Sequence, residues 1–184
     1  MLVTQDDLPR VLECLEKHDT LSIDTETTGL ERTDLPFAAI IATDTDEYYF
    51  DPRCSGDFWG KVNLIGPKEW ALQNAKFDMK MLGRKDVRLQ GIHYDTACGS
   101  RLMRNDPISH SLDAQAHRHL GVRKGTDVKA YIKEHNLYET RRDFFGVEYK
   151  QVRYQDVPLD IMHNYACLDA RLTYDLHRKY EREL

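Results

Sequence analysis

Residues 21–30 read LSIDTETTGL, and the rest of the chain is best understood outward from them. A short apolar run ends in Asp24-Thr25-Glu26. Alternation over residues 20–26 predicts a strand, with Leu21 and Ile23 on one face and Ser22, Asp24 and Glu26 on the other. Two carboxylates on one face repel each other unless a proton or a cation lies between them. Open α/β sheets place ligands in crevices at strand ends, so the acidic face is a candidate site. A solvated strand end would explain these three residues equally well if they stood alone.

The flanking patterns predict a mixed fold. Residues 7–17 carry apolar side chains at helical spacing. FAAIIAT (37–43) and EYYFD (47–51) predict two strands joined by a turn at Asp44-Thr45-Asp46, hence an antiparallel meander. A short helix is expected around 58–64, a strand over 69–73, a helix over 75–82 stopped by Gly83, and a strand over 91–94. Asp95 is placed to cap a helix over 96–104. Residues 110–120 are amphipathic, with Gly121 as the C-terminal stop. The stretch 123–154 is the most polar and predicts only weak helical segments. Pro158 is expected in the first turn of a last helix running toward Glu183. Strands early and helices late indicate α/β or α+β.

Composition narrows the function classes. A chain of 184 residues fits one domain with a sizeable core. No apolar run is long enough to span a membrane, and the N-terminus has no secretory signal pattern, so a cytoplasmic setting is expected. Cys14, Cys54, Cys98 and Cys167 are scattered without a CxxC pair, which indicates neither zinc nor a disulfide framework. The net charge of −5 is not that of a protein that holds nucleic acid by bulk charge, although acids gathered at a metal site add to that count.

Two further acids stand in helical segments. In NAKFD (74–78), Asn74 and Asp78 are four residues apart and would share a helix face, with Phe77 beside the acid. In YACLD (165–169), Tyr165 and Asp169 have the same spacing, and the neighbouring Leu159, Met162, Ala166 and Thr173 suggest an inward-facing pair. A core tyrosine bonded to an aspartate would give the same pattern. Asp95 reads as a helix cap rather than a ligand. His110, Arg141, Arg142 and Lys150 are candidates to touch phosphates, although each reads first as a solvated surface residue. His117 and His119 are two apart and share no helix face.

Taken in order, DTE, NxxFD and YxxxD resemble the three motifs of the DEDD (DnaQ-like) 3′–5′ exonucleases. DTETTGL, ALQNAKFDMKML, VRLQGIHYDT, HSLDAQAHRHLG and VRYQDVPLDIMHNYACLDARLTYDL resemble the proofreading domain of family A, DNA polymerase I-like enzymes, over residues 20–178. One branch of the superfamily has histidine five residues before the last aspartate. Here that position is Asn164, and His163 has the wrong spacing. The other branch has tyrosine four before, where Tyr165 stands, so the chain resembles the DEDDy branch.

The resemblance implies an α/β fold: an RNase H-like five-stranded mixed sheet flanked by helices. It implies that Asp24, Glu26, Asp78 and Asp169 bind two divalent metal ions, Mg²⁺ or Mn²⁺, since oxygen-only ligands suit hard cations. Tyr165 would orient the attacking water. Thr27, Leu30, Asn74 and Phe77 match substrate-contact positions. The expected substrate is a single-stranded or frayed 3′ DNA end, from which 5′-mononucleotides are released, with a polymerase domain as partner in cis or in trans. The third motif lies where this family's polymerase region begins. Residues 1–184 are therefore expected to be a single exonuclease domain, either the N-terminal part of a longer polymerase or a stand-alone nuclease. Met1, just ahead of the first helix, suggests a native-like start, as in a compact phage polymerase acting in its host's cytoplasm. Two alternatives remain at this point: an RNase D-like enzyme trimming RNA, and an inactive module supporting a polymerase.

Overall fold

The computed structural model describes residues 1–106 and 108–184. Five strands, β1 (Thr20–Thr27), β2 (Pro36–Ala42), β3 (Glu47–Phe50), β4 (Lys68–Leu72) and β5 (Gly91–Asp95), form one sheet in the order β3-β2-β1-β4-β5. The first three pair antiparallel, whereas β1–β4 and β4–β5 are parallel. The expected meander and mixed sheet are both present. The β2–β3 turn closes through Thr43, whose N–H donates to the Asp46 carbonyl at 2.8 Å and whose hydroxyl accepts from the Thr45 and Asp46 N–H groups.

Helices cover both faces: α1 (Leu8–Glu16), α2 (Pro52–Ser55), α3 (Trp59–Val62), α4 (Ala75–Gly83), α5 (Thr96–Met103), α6 (Leu112–Leu120), α7 (Asp127–Glu134) and α8 (Leu159–Glu183). One core joins Leu8, Val11 and Leu15 of α1 to Leu21 and Ile23 of β1, with Phe58, Trp59 and Trp70. The other joins Met162, Ala166, Ala170 and Tyr174 of α8 to Ala38, Ile40 and Ala42 of β2 and to Val128 and Ile132 of α7. Burying each large aliphatic side chain contributes about 1.5–3 kcal/mol. Alanines on both β2 and α8 let that helix lie close to the sheet. Ser22 fastens it there, its hydroxyl donating to the Ala170 carbonyl at 2.7 Å. The even-numbered face of β1, which carries the acids, is thereby turned toward α8. No helix among the described residues is long and apolar enough to cross a membrane.

Four local expectations are corrected. Gly83 does not stop α4 but is its last residue, and Arg84 forms the cap. Asn74 lies outside the helix in left-handed backbone (φ 61°), so it does not share a helix face with Asp78. Its N–H donates to Asp95 Oδ1 at 3.0 Å, and that aspartate also caps α5 by accepting from the Ala97 N–H. Pro158 precedes α8 as its N-cap instead of sitting in the first turn. The stretch 123–154 holds α7 followed by a two-stranded hairpin, β6 (Tyr138–Arg142) and β7 (Glu148–Val152), where only weak helix was expected. All four cysteines are free thiols.

Candidate active site

Three elements converge at the C-terminal end of β1. That strand pairs with β4 only from Thr20 to Ser22, so beyond Ser22 its β4-side edge lacks a strand partner. Asp78 of α4 fills the gap. Its Oδ1 accepts from the Thr25 N–H at 3.1 Å and the Thr25 hydroxyl at 2.6 Å. Thr25, the residue between the two strand acids, therefore fixes the third acid in place. Asp169 and Tyr165, one turn apart on α8, face the same region from above the sheet.

Three of the four carboxylates are buried and the fourth, Asp24, is half-buried. Glu26, Asp78 and Asp169 are 9%, 2% and 7% exposed. Burial pushes Asp24 well above the usual carboxylate range, and repulsion from Asp78, Glu26 and Asp169 adds to it. Burial and the nearby Asp169 raise Glu26 to about 8. Burial raises Asp78 to about 7, against the hydrogen bonds from Thr25. Asp169 is raised by burial, in opposition to the pull of Lys124. The Tyr165 phenol is raised by burial and by Asp169, so it keeps its proton. Clustered acids pushed toward neutrality mark a functional site more often than a structural one.

The donor set fits divalent cations. All four ligand candidates are carboxylates, the hard oxygen donors that Mg²⁺ and Mn²⁺ take. Asp169 Oδ1 is buried without a hydrogen-bond partner, an expense that a bound cation would remove. Among the described residues, however, no three His, Cys, Asp or Glu side chains form a ready-made metal cluster. Two contacts hold the cage open. Thr25 holds Asp78 Oδ1, and Lys124 Nζ lies 2.5 Å from Asp169 Oδ2 and 3.2 Å from the Tyr165 hydroxyl.

Lys124 was not legible as a site residue. Its only signal is the basic pair Arg123-Lys124 before Gly125, in a stretch with no clear periodicity. The expected substrate contacts are distributed around the acids. Leu30 is 75% exposed on the loop after β1. Thr27 is buried, its hydroxyl donating to the Gly29 carbonyl at 3.0 Å and so shaping that loop. Phe77 is partly buried beside Asp78, and Asn74 is exposed at the start of α4.

Two residues read as solvated surface are structural instead. His110 Nδ1 lies 2.9 Å from the Ser100 hydroxyl, and its carbonyl accepts from Gln73 and Gln115. Arg141 of β6 reaches the loop after β1, donating to Asp34 Oδ1 at 2.6 Å and to the Thr28 carbonyl at 3.4 Å. Arg142 does stay on the surface, paired with Glu148. Lys150 stands 6.0 Å from the Tyr138 ring centroid.

Comparison with known proteins bears on the family and the fold. A family model described as 3′–5′ exonuclease matches residues 1–184. DNA polymerase DpoZ of Salmonella phage PMBT28 is 29% identical over 180 residues, covering 92% of this chain and 27% of that polymerase. The chain thus spans about a quarter of the length of the curated relatives it matches first. Among solved structures, Escherichia coli RNase D superposes with a TM-score of 0.74 at 16% identity, covering 100% of this chain and 44% of that one. The POL domain of Pol1 from M. smegmatis, in complex with DNA primer-template and dNTP, gives 0.69 at 20% identity, covering 100% and 27%. Both structural likenesses concern the fold.

Proposed function

The chain belongs to the 3′–5′ exonuclease family whose model spans it from end to end, and from that premise we propose that it removes nucleotides from the 3′ end of DNA as the proofreading domain of a polymerase. The observation that carries the proposal is the convergence of Asp24, Glu26, Asp78 and Asp169, all raised by burial, at the open end of β1. The family is one of divalent-metal-dependent nucleases. In this chain the four carboxylates would hold two Mg²⁺ or Mn²⁺ ions. Bound there, such ions supply the electrostatic clamp for in-line displacement at phosphorus.

The chain's own groups do the rest. Asp24 and Glu26 present their carboxylates from a strand fixed on both sides by the sheet and by α8. Thr25 sets the angle of Asp78. Tyr165, which keeps its proton, would orient the attacking water by hydrogen bonding and need not act as the base. Water adds to phosphorus and gives up a proton to solvent, the bond to the 3′ oxygen of the penultimate nucleotide breaks, that oxygen takes a proton from solvent, and a 5′-mononucleotide departs. Leu30, Phe77, Thr27 and Asn74 would contact the terminal nucleotide. Apolar wedging and stacking tolerate any base, as an exonuclease requires.

Residues 1–184 are proposed to act as one exonuclease domain beside a polymerase, in cis in the natural protein and in the host cytoplasm. Polymerase relatives about four times as long support this. A second reading, 3′ trimming of RNA, has one observation in its favour: the good superposition on RNase D. Matched 3′-labelled DNA and RNA strands with Mg²⁺ separate the two. Faster release from DNA is expected, and a clear preference for RNA would replace the proofreading proposal. An inactive module is disfavoured because all four acids are in place.

A further inference from the structure

Among the described residues Lys124 is the cation that touches the acid cluster, and its surroundings give it two places to go. Its Nζ is shared between Asp169 Oδ2 and the Tyr165 hydroxyl, and lies 4.4 Å from the Tyr165 ring centroid. Its side chain is 18% exposed. A single ammonium satisfies one oxygen of Asp169 and leaves the other, Oδ1, buried and without a partner. It offsets the charge of Asp24 and Glu26 only in part, since burial and the neighbouring acids still outweigh it, so a divalent ion has more to gain there than the ammonium does.

The second place adjoins the first. Lys124 and Tyr165 line a cavity of about 310 Å³ with Arg123, Lys129, Gly125, Thr126 and Asp113, so three cations face one carboxylate there. Arg123 and Lys129 are exposed, and neither forms an ion pair among the described residues. The Lys124 N–H donates to Asp113 Oδ1 at 3.1 Å, which ties the backbone while the four-carbon stem remains free to turn. Moving the ammonium from Asp169 to this basic cavity needs side-chain rotation alone.

We propose that Lys124 is a two-position residue: counter-ion to Asp169 in the metal-free protein, and a contact to a backbone phosphate of the substrate strand once a divalent ion has taken Asp169. The inference rests on the metal-cage reading above and deepens it. Lys124 occupies Asp169 Oδ2 in the metal-free protein, so metal and ammonium compete for one oxygen. The displaced ammonium then joins Arg123 and Lys129 in receiving the strand on the Tyr165 side of the acids.

Mn²⁺ binding without nucleic acid, followed by electron paramagnetic resonance, tests the exchange. Lys124→Met is expected to bind Mn²⁺ several-fold more tightly than wild type, and Lys124→Arg, which keeps the charge, to bind like wild type. Unchanged or weaker binding by Lys124→Met, or equal tightening in Lys124→Arg, overturns the exchange. Lys124→Gln carries the same test should the methionine variant be insoluble. At saturating Mn²⁺, KM for a single-stranded oligonucleotide should rise several-fold in Lys124→Met. The slope of log(kcat/KM) against log[salt] should shrink by about 0.7, the value of one lost phosphate contact. An unchanged KM and slope overturn the phosphate contact. Absence of Mn²⁺ binding in wild type, or binding undiminished in Asp169→Asn, defeats the metal cage itself and this inference with it.

Discussion

Asp34 and Asp169 are buried to nearly the same degree, 3% and 7% exposed, yet their surroundings treat them in opposite ways. Burial pushes Asp34 up, but the Arg141 guanidinium, the Glu31 N–H and the Thr28 hydroxyl more than offset it and hold its carboxyl below the usual range. Its partners lie at 2.6, 2.7 and 2.9 Å. Gly29 packs so close to this carboxylate that a Cβ there would collide with it. Asp169 receives one ammonium and keeps an oxygen orphaned, beside three other acids. A buried carboxylate surrounded by donors fastens structure, here the β6–β7 hairpin to the loop after β1. A buried carboxylate surrounded by acids costs stability, and the cost is recovered when a cation binds.

The largest effect that would sharpen this contrast is on catalysis. Asp169→Asn should lower the rate of nucleotide release about a thousandfold, since metal clamping of the transition state is worth several kcal/mol. In EDTA the same variant should unfold at the same temperature as wild type or higher. A variant that lost stability and kept its rate would break the contrast.

At the other carboxylate the balance should invert. Arg141→Ala leaves Asp34 buried without its cation and should cost about 2 kcal/mol in urea denaturation. Cleavage of a dinucleotide should change only a few-fold, because Arg141 bonds Asp34 and the Thr28 carbonyl and none of the four site acids. A thousandfold loss there would move Arg141 into the site.

The pH dependence of stability should separate the two regions in the metal-free protein. Glu26, raised to about 8, and Asp78, raised to about 7, bind protons in the folded state that the unfolded chain has already released. Their ionisation costs nothing below the ordinary carboxylate range, and the penalty grows as pH climbs from that range to these raised values, above which it is complete. The unfolding midpoint in EDTA should therefore fall between about pH 5 and pH 8. Saturating Mg²⁺ should flatten that fall. Asp34 has the opposite sign: its contribution is present above the ordinary carboxylate range and is lost as pH drops through its lowered value. Arg141→Ala should thus remove stability at neutral pH and little once the pH is below the lowered value of Asp34.

The smallest effect belongs to the residue that positions an acid. Thr25→Val keeps shape and removes the hydroxyl that donates to Asp78 Oδ1. It should cost about 1 kcal/mol of stability. A rise in the Mg²⁺ concentration needed for half-maximal rate should accompany it, because Asp78 loses its orientation.

What was legible in the sequence follows the same division. The acids stand on elements with clear periodicity. Alternation on β1 set Leu21 and Ile23 against Ser22, Asp24 and Glu26, and the two cores divide that way. The four-residue spacing of Tyr165 and Asp169 falls on one face of α8. Asn74 escaped the same logic because left-handed backbone at an exposed helix start leaves no periodic trace. The hairpin was missed because the half-buried face of β6 carries Glu139 and Arg141 and that of β7 carries Tyr149 and Gln151, so burial alternates along both strands while hydrophobicity does not. Arg141 and Lys124 were missed for a related reason. A cation whose partner is an acid roughly a hundred or forty-five residues away leaves no local pattern, and only the folded chain brings the pair together.

Release of nucleotides from a 3′-labelled single-stranded DNA, compared in Mg²⁺ and in EDTA for wild type and for Asp24→Ala/Glu26→Ala, tests the central claim most directly. Stepwise release of mononucleotides by wild type in Mg²⁺, with none in EDTA and none from the double variant, is the predicted result. Failure of wild type to cleave with metal, or cleavage by the double variant at the wild-type rate, would contradict the assignment of the buried acid cluster as the catalytic centre.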